Sequence, residues 1–430
     1  MARFTVSNEA LTDAVSRATI PLSTVLAITS TTVYACTSRG ENDITALTRY
    51  QVTDSESLLN DLPKYALREL PPHLSPASAR VTVINSVTAG RHTGERVYDE
   101  LVGPLLTALG VTHEYIATTS ASDISTFATS LGVDSSNDQR PHTVILLSGD
   151  TSIHELVNSL HCPNAPRTLT VAPIPTGSGN ALMTSLSIAT PFAALFVLLH
   201  GTATLLNPFY ASFPKGSLEV IPPTEVEPEG KTIKLVTPDA DGGDGQSKIY
   251  ALVVASWAIH AALVGDSDSP EYRKLGNERF KVAARENLAR NASWHGMIRY
   301  TTATSSTVTA VEGPHSYVLL TSISSLEPGF KIAPTATPLS GKVEFIHMRA
   351  LKGDDIMRLL MLAYQDGAHV REPEVLYTEV ESLSVEVHER ELRMRRWCVD
   401  GRIFIVPEDA TVSVHRGVAN VRGWEVFILV

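Results

Sequence analysis

Three short runs of small and polar residues in this 430-residue chain have the make-up of anion cradles. The first is Asn85-Ser86-Val87-Thr88-Ala89-Gly90-Arg91, the second Ser148-Gly149-Asp150-Thr151-Ser152, and the third Pro175-Thr176-Gly177-Ser178-Gly179-Asn180. Glycine lets backbone N–H groups approach phosphate oxygens with no Cβ in the way. A helix that starts there adds free N–H groups and the positive end of its dipole. The chemistry this suits is binding and transfer of a phosphoryl group, in which an enzyme mainly positions groups and offsets charge. One such turn alone equally serves as a helix cap. Asp150, at the tip of the second run, is the candidate base for an attacking hydroxyl, and it equally suits a cap for a helix opening at Thr151.

Elements able to hold these turns flank each of them. Arg80 to Ile84, Thr112 to Ala117, Thr143 to Leu147 and Thr168 to Ala172 are β-branched or apolar runs. Val97 to Leu109, Asp123 to Leu131, Ile153 to Leu160 and Asn180 to Leu186 have helical spacing. Strands alternating with helices imply a parallel, Rossmann-like sheet whose ligand site lies at the strand C-terminal ends. After about residue 200 the pattern becomes strand-rich, with runs at Ser217 to Val220, Thr232 to Val236, Ile249 to Ala255, Ser316 to Leu320, Lys342 to Phe345, Ser382 to Val387 and Thr411 to Val414. That predicts an antiparallel β-sandwich, interrupted by helices at Glu278 to Arg290 and Asp355 to Tyr364. Within the second helix, Met357, Leu359, Leu360, Met361 and Leu362 suit either a core or a tunnel for an acyl chain. The expected division is a small β-rich extension over 1–75 ending in a Pro-rich linker, an α/β domain over 76–190, and a β-sandwich domain over 191–430. The stretch 237–247 is polar and Gly-rich and predicts a loop.

Bulk properties exclude several classes. The net charge is −11, which argues against a general nucleic-acid binder and against purely electrostatic attraction to an anionic membrane. Cys36, Cys162 and Cys398 are far apart, so neither a disulfide framework nor a structural zinc site is expected, and a reducing compartment fits. The N-terminal residues lack a signal-peptide pattern. The longest apolar run, Pro191 to Leu199, is too short to span a bilayer. His154 and His369 have no metal-ligand spacing, so no protein-held metal is expected.

Together the three loops resemble those of the diacylglycerol kinase catalytic fold, shared by diacylglycerol, ceramide and sphingosine kinases. Its signatures are N-P-x-x-G-G, then S/G-G-D-G-T followed by x-H/N-E-x-x-N, then P-x-G-S/T-G-N. His154-Glu155 and Gly177-Ser178-Gly179-Asn180-Ala181-Leu182 look most like the sphingosine kinase versions. The segment Asp266 to Phe280 aligns without gaps to the pattern D-x-E-S-x-x-Y-R-x-L-G-x-x-R-F. Gly367-Ala368-His369 is also similar, and Val399-Asp400-Gly401-Arg402 matches V-D-G-E except at its last residue. The resemblance runs from about residue 80 to about 420.

The resemblance implies an ATP-dependent lipid kinase using Mg²⁺, acting on a primary hydroxyl, most nearly that of a sphingoid base. A diacylglycerol or ceramide kinase is an alternative, and an NAD kinase a more distant one. It implies catalysis by Asp150. Nucleotide contacts are implied for Asn85, Ser86, Val87, Thr119, Glu155, Gly177, Ser178, Gly179, Arg273, Arg279, Asp400 and Gly401. Substrate contacts are implied for Ser148, Gly149, Thr151 and Asp266, the last pairing with a sphingoid ammonium. The bland counterparts are an ion-paired helix surface for Arg273 and Arg279, and a solvated polar loop for Asp266. The implied setting is cytoplasmic with transient membrane-surface contact, a lipid partner, no nucleic acid, and room for a homodimer.

Three departures bear on activity. Thr151 replaces the second glycine of G-G-D-G-T and would be strained if that position needs a positive φ. Ser86 replaces the first-loop proline. Arg402 replaces the glutamate of V-D-G-E, where an acidic group would help hold magnesium. A catalytically impaired relative that still binds nucleotide or lipid is therefore a rival expectation.

Overall fold

The computed structural model describes the chain except residues 1, 2, 8, 15, 39–43, 54, 87–92, 121, 134–137, 139, 163–166, 222–231, 237–245 and 277, and except the side chains at 38, 44, 45, 133, 232, 233, 270 and 273. Val87 and the rest of the first loop to residue 92, the Arg273 side chain and most of the polar stretch 237–247 therefore lie outside the described residues.

Strands β1 (Arg80–Asn85), β2 (His113–Ala117), β3 (His142–Ser148) and β4 (Arg167–Pro175) form the expected parallel sheet. All seven residues of β3 are buried. Val144 and Leu146 enter one core while Ile145 and Leu147 enter the other, so both faces are covered and the strand is apolar throughout. Helices α1 (Asp123–Val133) and α2 (Asp150–Ser159) pack on the first face. The helical segment 94–108 and α4 (Pro191–His200) pack on the second, and the short α3 (Ala181–Ser185) feeds both.

The expected boundary near residue 190 is crossed twice. The apolar run at 191–199 is α4, and it buries Ala194, Leu195, Leu198 and Leu199 against Leu26, Ala27, Tyr34 and Cys36 of the N-terminal region. There, Val25–Ile28, Thr32–Ser38 and Ile44–Gln51 form an antiparallel sheet. His200 Nε2 meets Leu26 O and His73 Nε2 meets Leu198 O, each at 2.8 Å, so the expected linker is a tied-down turn with Leu74 buried. At the other end, β5 (Trp424–Leu429) returns to pair in parallel with β4.

The second half is one antiparallel 13-stranded sheet rather than two separate sheets. It curls on itself. Phe213, on a strand near one end of the sheet order, packs 4.7 Å from Phe404, on a strand near the other end. The enclosed space is filled by Trp257, Trp294, Trp397, Tyr317 and Phe345. Aromatic area of this kind closes a sheet by burying its inner face. The run 249–255, expected as one strand, is two: Ser247–Ala251 and Val254–Ala258. It breaks because Leu252 and Val253 give their N–H groups to the Asp400 carboxylate instead of to a neighbouring strand.

The longer helices in this half, among the described residues, are α5 (Ile259–Ser267), α6 (Glu278–Ala289) and α7 (Gly353–Ala363). The last two follow the sequence pattern. In α7, Ile356 and Leu359 enter the core, but Met357 and Met361 face solvent, so neither methionine is core or tunnel wall. No helix among the described residues is long and apolar enough to cross a membrane.

Candidate functional site

The turns after β3 and β4 interlock through their backbones. A Cβ on Gly177 would lie 2.4 Å from Gly149 Cα, and one on Gly149 would lie 2.5 Å from Gly179 O. Only glycine permits that approach. Ser148 O accepts the N–H groups of Thr176 and Gly177, both at 3.1 Å, and Asp150 N–H donates to Gly179 O at 3.0 Å. Asn180 Nδ2 closes the third loop by donating to Gly177 O at 2.8 Å.

Asp150 opens α2, yet its carboxylate serves a different helix. It accepts the N–H groups of Ala181 at 2.6 Å and Leu182 at 3.2 Å, the first turn of α3. The expected cap is therefore real but belongs to the neighbouring element. Burial pushes the Asp150 carboxyl up to about 6 despite these two backbone hydrogen bonds, and the Asp400 charge adds to the rise. Ser178 and Gly179 are exposed, and a Cβ on Gly179 would stand in open space 3.9 Å from Asp150 Oδ2. The arrangement is a carboxylate poised near the titration range of a general base, beside an open glycine turn.

Thr151 lies in the first turn of α2 with no positive φ, so the strain expected at this substitution does not arise. It meets the Val399-Asp400-Gly401 turn: a Cβ on Gly401 would be 3.6 Å from Thr151 Oγ1. Asp400 adopts φ 47° there, which aspartate tolerates.

The Asp400 carboxylate is fully engaged. Oδ1 accepts from Val253 N at 2.9 Å and Val254 N at 2.8 Å; Oδ2 accepts from Leu252 N at 2.7 Å and meets His154 Nδ1 at 3.1 Å. Asn158, one turn beyond His154, bonds the Tyr250 backbone in both directions, at 2.9 and 2.8 Å. His154 and Asn158 thus rivet α2 to the curled sheet. Sequence reasoning recorded the H-E-x-x-N pattern without seeing that its first and last members hold the two halves together. The i, i+4 spacing, which puts both on one helix face, was the available signal.

Arg402 is ion-paired with Glu219 across adjacent strands, with Nε to Oε1 at 2.8 Å. Burial raises the Glu155 carboxyl above its ordinary value, partly countered by the Arg402 charge and a Ser125 backbone hydrogen bond. Where a glutamate was expected, the Arg402–Glu219 ion pair stands near Glu155. Glu219 could not be found from the sequence, because its partner is 183 residues away. With the four acceptor positions of Asp400 used and a cation at 402, this turn does not fit a protein-held magnesium ion. Among the described residues no cluster of His, Cys, Asp or Glu is placed to hold a metal.

The remaining expected contacts divide. Asn85 is buried, donates to Tyr115 OH at 3.1 Å and braces Gly94, where a Cβ would meet its Oδ1 at 2.1 Å. Ser86 beside it is likewise buried. Thr119 is exposed, its N–H fixed by the Asp123 carboxylate at 2.5 Å. Arg279 pairs with Asp268 at 3.3 Å. Asp266 lies on α5 rather than in a loop. Its carboxylate accepts from Arg396 at 2.7 Å, Arg393 at 2.9 Å, Asn287 at 3.1 Å and Arg290 at 3.3 Å. Burial opposes its charge, but the arginines and Asn287 outweigh that and hold it below the ordinary carboxylate value. The carboxylate expected to pair with a sphingoid ammonium is thus shared by three guanidinium groups of the chain itself.

Residues 80–206 match the diacylglycerol kinase catalytic domain. No curated protein sequence matches the chain. Among solved structures, a Bacillus anthracis str. Sterne protein assigned as a diacylglycerol kinase is similar with TM-score 0.53 and 14% identity, over 81% of this chain and 94% of that one. A second structure from that organism, assigned in the same way, gives TM-score 0.48 and 13% identity over 81% and 96%. At such identity the first likeness speaks to a shared fold of both halves.

Proposed function

We propose that this chain is an ATP-dependent lipid kinase whose acceptor is the primary hydroxyl of a neutral, diacylglycerol-type lipid. The observation that carries the reading is Asp150: a carboxylate raised to about 6, locked at the junction of two glycine turns and open toward Ser178-Gly179. The acceptor hydroxyl oxygen attacks the γ-phosphorus, the bond to the β-phosphate bridging oxygen breaks, and ADP leaves. Asp150 takes the hydroxyl proton. The backbone N–H groups of Ser178 and Gly179 in the exposed third loop, and the positive dipole end of α2, offset phosphate charge. A magnesium ion, if held through the nucleotide phosphates, would offset part of the charge on the transferring group. The catalytic-domain match over residues 80–206 supports the kinase class. The arginine-filled surroundings of Asp266 favour an uncharged acceptor over a sphingoid base.

The test is radiolabel transfer from ATP, with magnesium, to diacylglycerol, ceramide and sphingosine in mixed micelles. Label in diacylglycerol above an Asp150→Asn control is expected. Label in no lipid above that control overturns the reading, and label in sphingosine alone overturns the acceptor assignment.

A further inference from the structure

Helix α3 has only five residues, Ala181–Ser185, and a helix of that length does not hold itself together in water. Other elements hold it at both ends. Its first turn gives the Ala181 N–H to Asp150 Oδ2 and the Leu182 N–H to Asp150 Oδ1, so both oxygens of the candidate base are fixed. Its last residue is fastened to the other half of the chain. Ser185 Oγ donates to Ser325 O at 3.1 Å and accepts the Ser325 N–H at 3.0 Å.

Ser325 is buried and opens a small hairpin in which Ser325–Glu327 pairs with Phe330–Lys331. The hairpin is rooted in the core. Ile323 and Ile332 on either side of it are fully buried, and Ala333 N–H returns to Ser324 O at 3.1 Å. Its far end leans on α7: Phe330 meets Tyr364 edge-on with ring centroids 5.0 Å apart, and Tyr364 OH donates to Glu327. Helix α3 is therefore a strut between the Asp150 carboxylate and a fixed point of the second half. The backbone at Asp150 is anchored separately, by its N–H on Gly179 O, so the strut governs the side chain. The charged group that faces this carboxylate from the curled sheet is Asp400, and His154, on the same helix as Asp150, is turned to Asp400.

We propose that Ser185 is a positioning residue: acting through α3, it sets where the Asp150 carboxylate stands and how tightly that carboxylate holds its proton. The hydroxyl of Ser185 fixes the far end of the strut, and the near end delivers two N–H groups to the base. Those two hydrogen bonds oppose the burial that raises the Asp150 carboxyl, so a loosened strut lets it rise further. The part of the proposal that concerns turnover rests on the kinase reading; the part that concerns the proton does not.

The experiment compares the full-length wild type with Ser185→Ala and Ser185→Thr, each with and without Asp150→Asn. The melting gain that Asp150→Asn confers, followed against pH, reads the Asp150 titration with no turnover required. In the Ser185→Ala chain that gain should go on growing to higher pH than in the wild type, because the folded carboxyl keeps its proton longer. In label transfer to diacylglycerol, Ser185→Ala should lower kcat about tenfold, with the pH inflection moved up and the KM for ATP within about twofold of wild type. Ser185→Thr keeps the hydroxyl and should restore both pH profiles. A hydroxyl that only stabilises the fold would lower the melting temperature and leave the pH dependence in place. That result overturns the proposal, as does a Ser185→Thr chain that behaves like Ser185→Ala. Label in no lipid removes the kinase reading, and the melting comparison then still decides whether Ser185 governs the Asp150 proton.

Discussion

His154 Nδ1 and Asp400 Oδ2 are 246 residues apart in sequence and 3.1 Å apart in space. Their contact ties the helix that begins with the candidate base to the turn that meets Thr151. The same Asp400 carboxylate collects three backbone N–H groups that would otherwise be buried without partners.

Removing that carboxylate should cost more than removing its histidine. Asp400→Ala is expected to destabilise the chain by about 3–5 kcal/mol, because several buried donors lose their acceptor. His154→Ala loses one contact and should cost about 1–3 kcal/mol. Urea denaturation of both variants measures the order; equal losses would show that the backbone N–H groups find other partners.

The Asp150 value predicts a rate profile. If Asp150 is the base, the rate should rise with pH through about 6 and level off above it. Asp150→Asn should lower the rate by about 10²–10⁴-fold and abolish that inflection. Initial rates across the pH range, at saturating ATP, check both.

The same group has a stability signature of definite sign. Its folded value, about 6, lies above the ordinary 3.8, so the folded chain binds the proton more tightly than the unfolded one. The contribution of Asp150 to stability is therefore present at low pH and declines as pH rises through that window. The melting gain of Asp150→Asn over wild type should be greater above pH about 6 than below the ordinary carboxylate value. Paired melting curves measure the difference.

Gly177→Ala tests the interlocked turns. A methyl group 2.4 Å from Gly149 Cα must push the two loops apart. Loss of about 1–3 kcal/mol is expected, together with weaker ATP binding by calorimetry. Gly110→Ala, where no atom lies within 4 Å but φ is +71°, gives a control in which strain is present without contact with the turns.

The ion pair between Arg402 and Glu219 predicts rescue. Arg402→Glu alone places a second carboxylate beside Glu219 and should cost about 1–2 kcal/mol, since this pair is less exposed than a surface ion pair worth ~0–1. Adding Glu219→Arg should restore most of that loss. A double-mutant cycle with no coupling would show that the two charges act independently.

The sequence by itself carried the local part of this protein. Strands β1 to β4 and the helices following β3 and β4 were legible because apolar run length and small-residue punctuation are properties of neighbouring residues. So were the glycine turns at the strand ends, although one such turn alone equally serves as a helix cap. What the partners of those turns do was decided only by the tertiary structure. Asp150 caps α3, whose N–H groups are 31 and 32 residues on. Asp400 spends its carboxylate on the 252–254 backbone, and Asp266 is surrounded by arginines from two distant segments. The single curled sheet escaped the strand pattern because alternation records which face is buried, not whether the two ends of a sheet meet; Phe213 against Phe404 settles that. An acidic side chain announces its charge in the sequence, but its role depends on what the fold brings within hydrogen-bond reach.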